Sequence, residues 1–443
     1  MLITFRVENF RSLRDELELS MVLPSWVDTD HMTKHVDGAS GMRVGTVAGI
    51  FGSNASGKTT VLSAMWQMSS MVLNSHQRWK PSAPMPYTPF FVPPKASHPT
   101  MFDVDFVVDG ERYQYGFKFD KKRVIEEWLY SFPKLRPRLL FERDATKDDE
   151  FRFGRALRGR PGIIAELTRP NSLFLSAAAA NNHQQLAPLS AWFDRNFVRA
   201  TLEDRQIRIQ MTLKQAKDAS RKSQILDLLK SADLGLEDLQ FVEHEVEEEV
   251  KARVADVMKA LNPDGYEEPD WHDFAEQTLF AHKVGNSGQT AMLDLSDESD
   301  GTRAWLGLIG TVLLALEGGQ SLVVDELDAS LHPKLTSEVV RMFHDPELNP
   351  NGAQLVFNTH DSTLMGALLG DAPLRRDEVW ITEKGKDGAT RLYPLTEFRP
   401  RKAENLERGY LQGRYGGVPF VDSDLAAAAI LRAEGENLAS TQS

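Results

Sequence analysis

The chain has 443 residues and no cysteine, which excludes disulfides, zinc–thiolate sites and thiol catalysis. With 41% hydrophobic and 26% charged residues it has ample material for a core, and its formal net charge of -13 argues against a wholly basic nucleic-acid binder while leaving room for a local basic groove. Its longest apolar run, Trp305 to Leu316, is interrupted by Gly307, Gly310 and Thr311 and falls short of a membrane span; as Met1–Val7 also lacks a secretory pattern, the expectation is a cytoplasmic protein with no membrane partner.

Ile3, Phe5 and Val7 alternate with polar neighbours and read as a first strand; Asn9–Ser12 reads as a turn and Glu16–Leu19 as a second strand. Val47–Phe51 is an apolar run of the kind buried in a parallel sheet. It is followed by Gly52-Ser53-Asn54-Ala55-Ser56-Gly57-Lys58-Thr59, which spells G-x-x-x-x-G-K-T, and then by Thr60–Met65, the start of a helix. Strand, glycine-rich loop and helix is the context in which this motif holds phosphate. The two glycines let backbone N–H groups turn toward phosphate oxygens, and the helix N-terminus adds a favourable dipole. Lys58 supplies charge to the β- and γ-phosphates and Thr59 a hydroxyl ligand for Mg²⁺, so ATP and Mg²⁺ are expected at residues 52–60.

Seven prolines between Pro81 and Pro99 mark a loop-rich connector. Alternating runs at Phe102–Val108 and Arg112–Phe119 flank Asp109-Gly110, a strong hairpin signal, and Glu126–Phe132 extends the antiparallel sheet. Basic residues then cluster at Lys134, Arg136, Arg138, Arg143, Arg152, Arg155, Arg158 and Arg160, as a solvated face or a phosphate-contacting patch. From about 160 to 285, Ile163–Leu167, Leu186–Phe197, Gln224–Ser231 and Val250–Leu261 fit helical spacing, and the acidic run Glu243–Glu249 reads as a solvated face rather than a metal site. The expected fold class is α/β, in four parts: 1–158, an N-terminal part with the phosphate loop and an antiparallel β subdomain; 159–287, an inserted helical lobe; 288–433, a C-terminal part that completes the phosphate-loop domain; and 434–443, a polar, disordered tail.

Gln320–Glu326 is an apolar strand ending in two acids, a Walker B pattern. Asp325 is expected to hold Mg²⁺, usually through water, and Glu326 to polarise the attacking water. Leu355–His360 is another buried strand, and His360 at its carboxyl end stands where ligands of open α/β sheets bind, placed to sense a γ-phosphate. Ser299, Asp300, Gly301 and Thr302 open an amphipathic helix whose apolar positions run from Trp305 to Leu316; this turn offers Ser299 and Gly301 to an anion or serves as an ordinary cap.

The order of phosphate loop, Ser-Asp-Gly-Thr before a helix, Walker B with an adjacent glutamate and then a histidine resembles the ABC-type ATPases. Asn9–Ser12, Asn54 and the string Asp325–Pro333 narrow the resemblance to the SMC, RecF and OLD branch. Trp128–Tyr130, Asn171–Ser176, Asp377–Lys384 and Gly413–Pro419 make the chain similar to the AbiL/RloA-like ATPases of phage-defence operons over roughly residues 1–420. The resemblance implies an ABC-type head in which Ser299 and Gly301 act in trans on ATP bound by a second copy, Arg11 approaches the phosphates, and His332 communicates across a homodimer or higher oligomer. It further implies a separate nuclease-type effector subunit of RloB/Toprim kind. The chain departs from the pattern at Asp300 and Thr302 and shows no Q-loop glutamine, Gln114 lying mid-strand.

Three functions fit such a head. The first is a defence ATPase that senses a trigger and controls the effector. The second is a RecF/SMC-like repair ATPase that binds DNA directly. The third is a transporter-coupling ATPase, which Asn9–Ser12 and Leu331-His332-Pro333 argue against.

Overall fold

A computed structural model describes residues 1–27, 33–35, 42–93, 95–134, 136–244, 247–261, 276–284, 289–367, 370–401, 404–419 and 423. The tail expected at 434–443 lies outside them. β1 (Leu2–Glu8) and β2 (Leu17–Ser20) pair antiparallel, β3 (Thr33–His35) and β4 (Arg43–Gly45) form a ribbon, and β5 (Val47–Gly52) runs through the glycine-rich loop into α1 (Lys58–Asn74). A meander follows: β6 (Thr100–Val108), β7 (Glu111–Phe119), β8 (Val124–Phe132), β9 (Arg138–Asp144) and β10 (Phe151–Phe153). With β1 and β2 it builds a seven-stranded antiparallel sheet in the order β10-β9-β8-β7-β6-β1-β2. Its Asp-Gly turn has φ of 48° at Asp109 and 80° at Gly110, the positive pair that a two-residue hairpin of matching twist requires.

Helices α2 (Pro161–Leu167), α3 (Phe174–Ala180) and α4 (Ala187–Arg195) come next, then β11 (Val198–Ala200), α5 (Arg205–Gln215), α6 (Ala219–Ser231), β12 (Leu236–Glu243), α7 (Glu248–Leu261), β13 (Glu276–Val284) and β14 (Gln289–Asp294). The remaining described elements are α8 (Asp300–Gly318), β15 (Ser321–Val324), α9 (Pro333–His344), β16 (Gln354–Asn358), β17 (Val379–Lys384), β18 (Thr390–Pro394) and α10 (Leu406–Leu411). The second large sheet has the order β11-β15-β16-β5-β17-β18, parallel except at β18, and β12, β13 and β14 make a small antiparallel sheet. The α/β expectation, a P-loop mixed sheet beside an antiparallel one, is met.

The stretch 159–287 is richer than a helical lobe. It carries the expected helices and also β11, which pairs in parallel with β15 as the edge of the phosphate-loop sheet, and two strands of the small sheet. Its helices divide between two cores. Phe174, Leu189 and Phe193 pack with the antiparallel sheet and α1, whereas Ile209, Leu213 and Leu229 pack with α8 and the other face of the phosphate-loop sheet. β5 shows why there are two cores. Every residue of it is buried, and the period of two sends Ala48 and Ile50 into one core and Val47 and Phe51 into the other.

One buried amide joins the sheets. Gln354 on β16 accepts the N–H of Leu2 at 2.6 Å and donates to the carbonyls of Leu2 at 2.8 Å and Gly45 at 3.2 Å, and it also accepts from Ser321 Oγ at 3.2 Å. Among the described residues no helix is long and apolar enough to cross a membrane.

Candidate functional site

The carboxyl ends of β5, β15 and β16 open onto one cleft of about 550 Å³. Asn54, Ala55, Ser56, Gly57, Lys58, Thr59 and Thr60 line it, together with Arg11, Ser12, Glu326, Asn358, His360 and Lys384. A second cleft, of about 680 Å³, shares Arg11, Thr59 and Glu326 with the first and adds Asp325, Trp66 and Arg199.

Gly52 has φ 155° and Gly57 φ 108°, and a Cβ at either would lie 2.3 Å from a threonine hydroxyl, of Thr382 and Thr390 respectively. Those threonines brace the loop from outside. Thr390 Oγ1 donates to the Ser56 carbonyl at 2.8 Å and its backbone N–H to the Ser12 carbonyl at 2.8 Å. Thr382 Oγ1 donates to Phe51 O at 3.1 Å and lies 2.7 Å from Ser56 Oγ. Gly417, at φ 69°, packs against the same strand, since a Cβ there would come 2.6 Å from Ile381 Cγ2.

Lys58 is buried, and its Nζ donates to the carbonyls of Gly52 at 2.8 Å and Ser53 at 3.2 Å, so these two residues act on the site through the lysine rather than by lining it. Burial pulls its ammonium below the ordinary lysine range, against the opposing pull of Asp328, Glu326 and Asp325. Thr59 Oγ1 donates to Asp325 Oδ1 at 2.8 Å, which puts a hydroxyl and a carboxylate side by side at the mouth of the loop. A hard divalent cation prefers that donor set, with phosphate and water oxygens filling the remaining positions, and Mg²⁺ fits.

Asn358, which the sequence reading passed over, organises the acids. Its Nδ2 donates to Asp325 Oδ1, and its Oδ1 accepts the Glu326 N–H at 2.6 Å. Glu326 has φ 56°, a left-handed conformation that costs a non-glycine residue about 1–3 kcal/mol, and the asparagine holds it there. The only advance signal was an amide at the end of a strand next to the acidic one. Lys384, a second lysine on the cleft wall, was also missed as a site residue.

Arg11 reaches the cleft because Asn9 fixes the preceding turn. Asn9 is fully buried, and its side chain accepts the Phe90 N–H at 3.0 Å and donates to Lys95 O at 2.9 Å and His98 O at 2.6 Å. Arg11 then has φ 51° with its N–H on Thr88 O at 2.7 Å. His360 is exposed on the same cleft, its backbone N–H held by Asp328 Oδ1 at 3.2 Å. Ser299 and Gly301 are not among the lining residues. Ser299 is exposed and caps α8 by accepting the Thr302 N–H at 3.1 Å, and Gly301 sits against the Ser330 carbonyl. His332 caps α9, its Nδ1 accepting the Lys334 N–H at 3.2 Å. Gln114 donates to Asp103 within the antiparallel sheet. The acidic run around 243–249 belongs to no cluster of three metal-ligating side chains among the described residues.

The family model described as "AAA domain, putative AbiEii toxin, Type IV TA system" matches residues 47–366. No curated protein matches the sequence. Among solved structures, the chain is similar to an SMC head bound to the C-winged helix domain of ScpA, at 10% identity and a TM-score of 0.39, covering 88% of this chain and 96% of that one. It is also similar to the SMC head domain from Thermotoga maritima, at 14% identity and a TM-score of 0.33, covering 89% and 98% of the two chains.

Proposed function

Since the chain belongs to this AAA domain family, whose model spans the phosphate loop, the acid-bearing end of β15 and the end of β16, we propose that it is an ABC-type ATPase of a bacterial anti-phage system, an ATP-dependent homodimer controlling a separate nuclease-type effector. The observation that supports it most is the meeting of Lys58, Thr59, Glu326 and Asn358 on one cleft, with Asp325 bonded to Thr59 and Asn358 from the adjoining one. The family's description as a putative AbiEii toxin of a Type IV toxin–antitoxin system supports the defence role, and the effector follows from the resemblance to AbiL/RloA-like ATPases.

In this reading a phosphate replaces two neutral carbonyls as the acceptor for Lys58, and a charged acceptor makes the stronger bond. Thr59 and Asp325 hold Mg²⁺, which when bound neutralises charge on the phosphate oxygens. Glu326, held toward the cleft by Asn358, orients and deprotonates the attacking water, and His360 and Arg11 read the terminal phosphate. Ser299, exposed and outside its own cleft, faces the ATP of a second copy, which makes a two-fold interface.

Lys58→Ala is expected to abolish ATP binding. Glu326→Gln is expected to keep binding, to lose about 10²–10⁴-fold in hydrolysis, and to accumulate as an ATP-bound dimer by light scattering. Hydrolysis at the normal rate in Glu326→Gln would show that another group activates water, and a monomer with ATP would refute the two-head arrangement.

A further inference from the structure

A third cleft, of about 950 Å³, shares no residue with either cleft at the phosphate loop. The earlier basic cluster divides here. Arg143 is buried on Glu150 and the Ser172 carbonyl, and Arg152 pairs with Glu142, so both are structural. Arg138 from β9 and Arg155, Arg158 and Arg160 from the loop before α2 line the third cleft instead. All four are exposed and none forms an ion pair among the described residues, while Glu111 is the one carboxylate on the wall.

The wall is built to hold its shape. Gln185 accepts the Arg158 N–H at 3.0 Å and donates to Ala156 O at 3.3 Å, clipping the arginine loop from both sides. His183 is only 8% exposed. Its Nδ1 accepts the Leu186 N–H at 3.3 Å, which leaves Nε2 as the protonated nitrogen, and Nε2 has no partner among the described residues. That donor lies under Gly159, which has φ 91° and whose added Cβ would come 3.2 Å from it. Ile163 and Leu167, 52% and 53% exposed, give the cleft an apolar side.

Unpaired guanidiniums crowded around one cavity repel one another until an anion enters, and their planar forks match phosphate oxygens two at a time. The net charge of -13 opposes a long polyanion. Screening confines that opposition, so within about 8–10 Å the local arginines dominate. The apolar side suits the face of a base, and the volume lies within the range of small-molecule sites. We propose that this cleft is a second ligand site, for a nucleotide phosphate presented either by a free mononucleotide or by the 5′-phosphorylated end of a single strand.

The test uses the full chain carrying Lys58→Ala, which silences the phosphate loop. It is titrated with a nucleoside monophosphate and with a 5′-phosphorylated ten-nucleotide single strand. Binding of both with equal affinity identifies the free nucleotide as the source; tighter binding of the strand, weakening steeply with salt, identifies the strand end. In either case adding Arg155→Glu and Arg158→Glu is expected to weaken binding at least about tenfold, the loss of one or more charged hydrogen bonds. No binding of either probe, or unchanged binding in the arginine variant, overturns the proposal. A thermal melt checks the fold; if the charge reversals unfold the chain, the Arg155→Gln, Arg158→Gln pair is read by the same criterion. The experiment does not depend on hydrolysis, so its failure would leave the ATPase reading standing.

Discussion

Asn358 carries more of the candidate site than its chemistry announces. One amide donates to Asp325 and accepts from the backbone of Glu326, so it sets the carboxylate proposed to hold Mg²⁺ and the strained backbone of the proposed water-activating residue together. Asn358→Ala is therefore expected to lower Mg²⁺ affinity and ATP hydrolysis by about 10–100-fold, the usual cost of losing a partner that orients a ligand, with ATP binding without metal changed much less. Mg²⁺ titration of the hydrolysis rate checks this, and a parallel fall in metal-free binding would show that the asparagine supports the fold alone. Lys58, Thr59, Asp325 and Glu326 were legible in the sequence because each belongs to a short string with its own local signal. Asn358 was not, because its role depends on two strands lying side by side, which no spacing within Leu355–His360 encodes.

At the scale of elements, the β17–β18 hairpin is a brace for the phosphate loop as much as it is a sheet edge. Thr390 reaches both the Ser56 carbonyl and the Ser12 hydroxyl, the latter at 2.9 Å. Thr390→Val keeps the volume and removes both bonds. It is expected to cost about 1–3 kcal/mol of stability and to weaken ATP binding, as read by thermal melting and nucleotide titration; Thr390→Ser should restore both. Valine with unaltered affinity would mean that the loop holds its own shape. The hairpin at 102–119 and the strand–loop–helix at 47–74 were readable from alternation and turn chemistry. β11 was not. Three residues within a helical stretch carry no period, and only parallel pairing with β15 makes Val198–Ala200 a strand. The same holds for β12 and β13, whose partners are supplied from beyond a helix.

Across the whole molecule, two sheets and two cores are joined through β5, which feeds both, and through the side chain of Gln354. Gln354→Leu leaves the Leu2 N–H and the Leu2 and Gly45 carbonyls without their amide partner in a dry interior. The expected loss is at least about 3 kcal/mol, at 1–3 kcal/mol per buried group left unsatisfied, read as a lower melting temperature together with earlier loss of structure in the antiparallel sheet. A variant as stable as the parent would place the junction elsewhere. The brace on the phosphate loop has a consequence for how the protein is made. Thr390 bonds to a residue 334 positions before it in the chain. On the ribosome the loop emerges long before its support, and a product that stops short of that threonine carries the phosphate-binding motif without its outer prop. The phosphate loop thus gains its outer brace only once synthesis has passed Thr390.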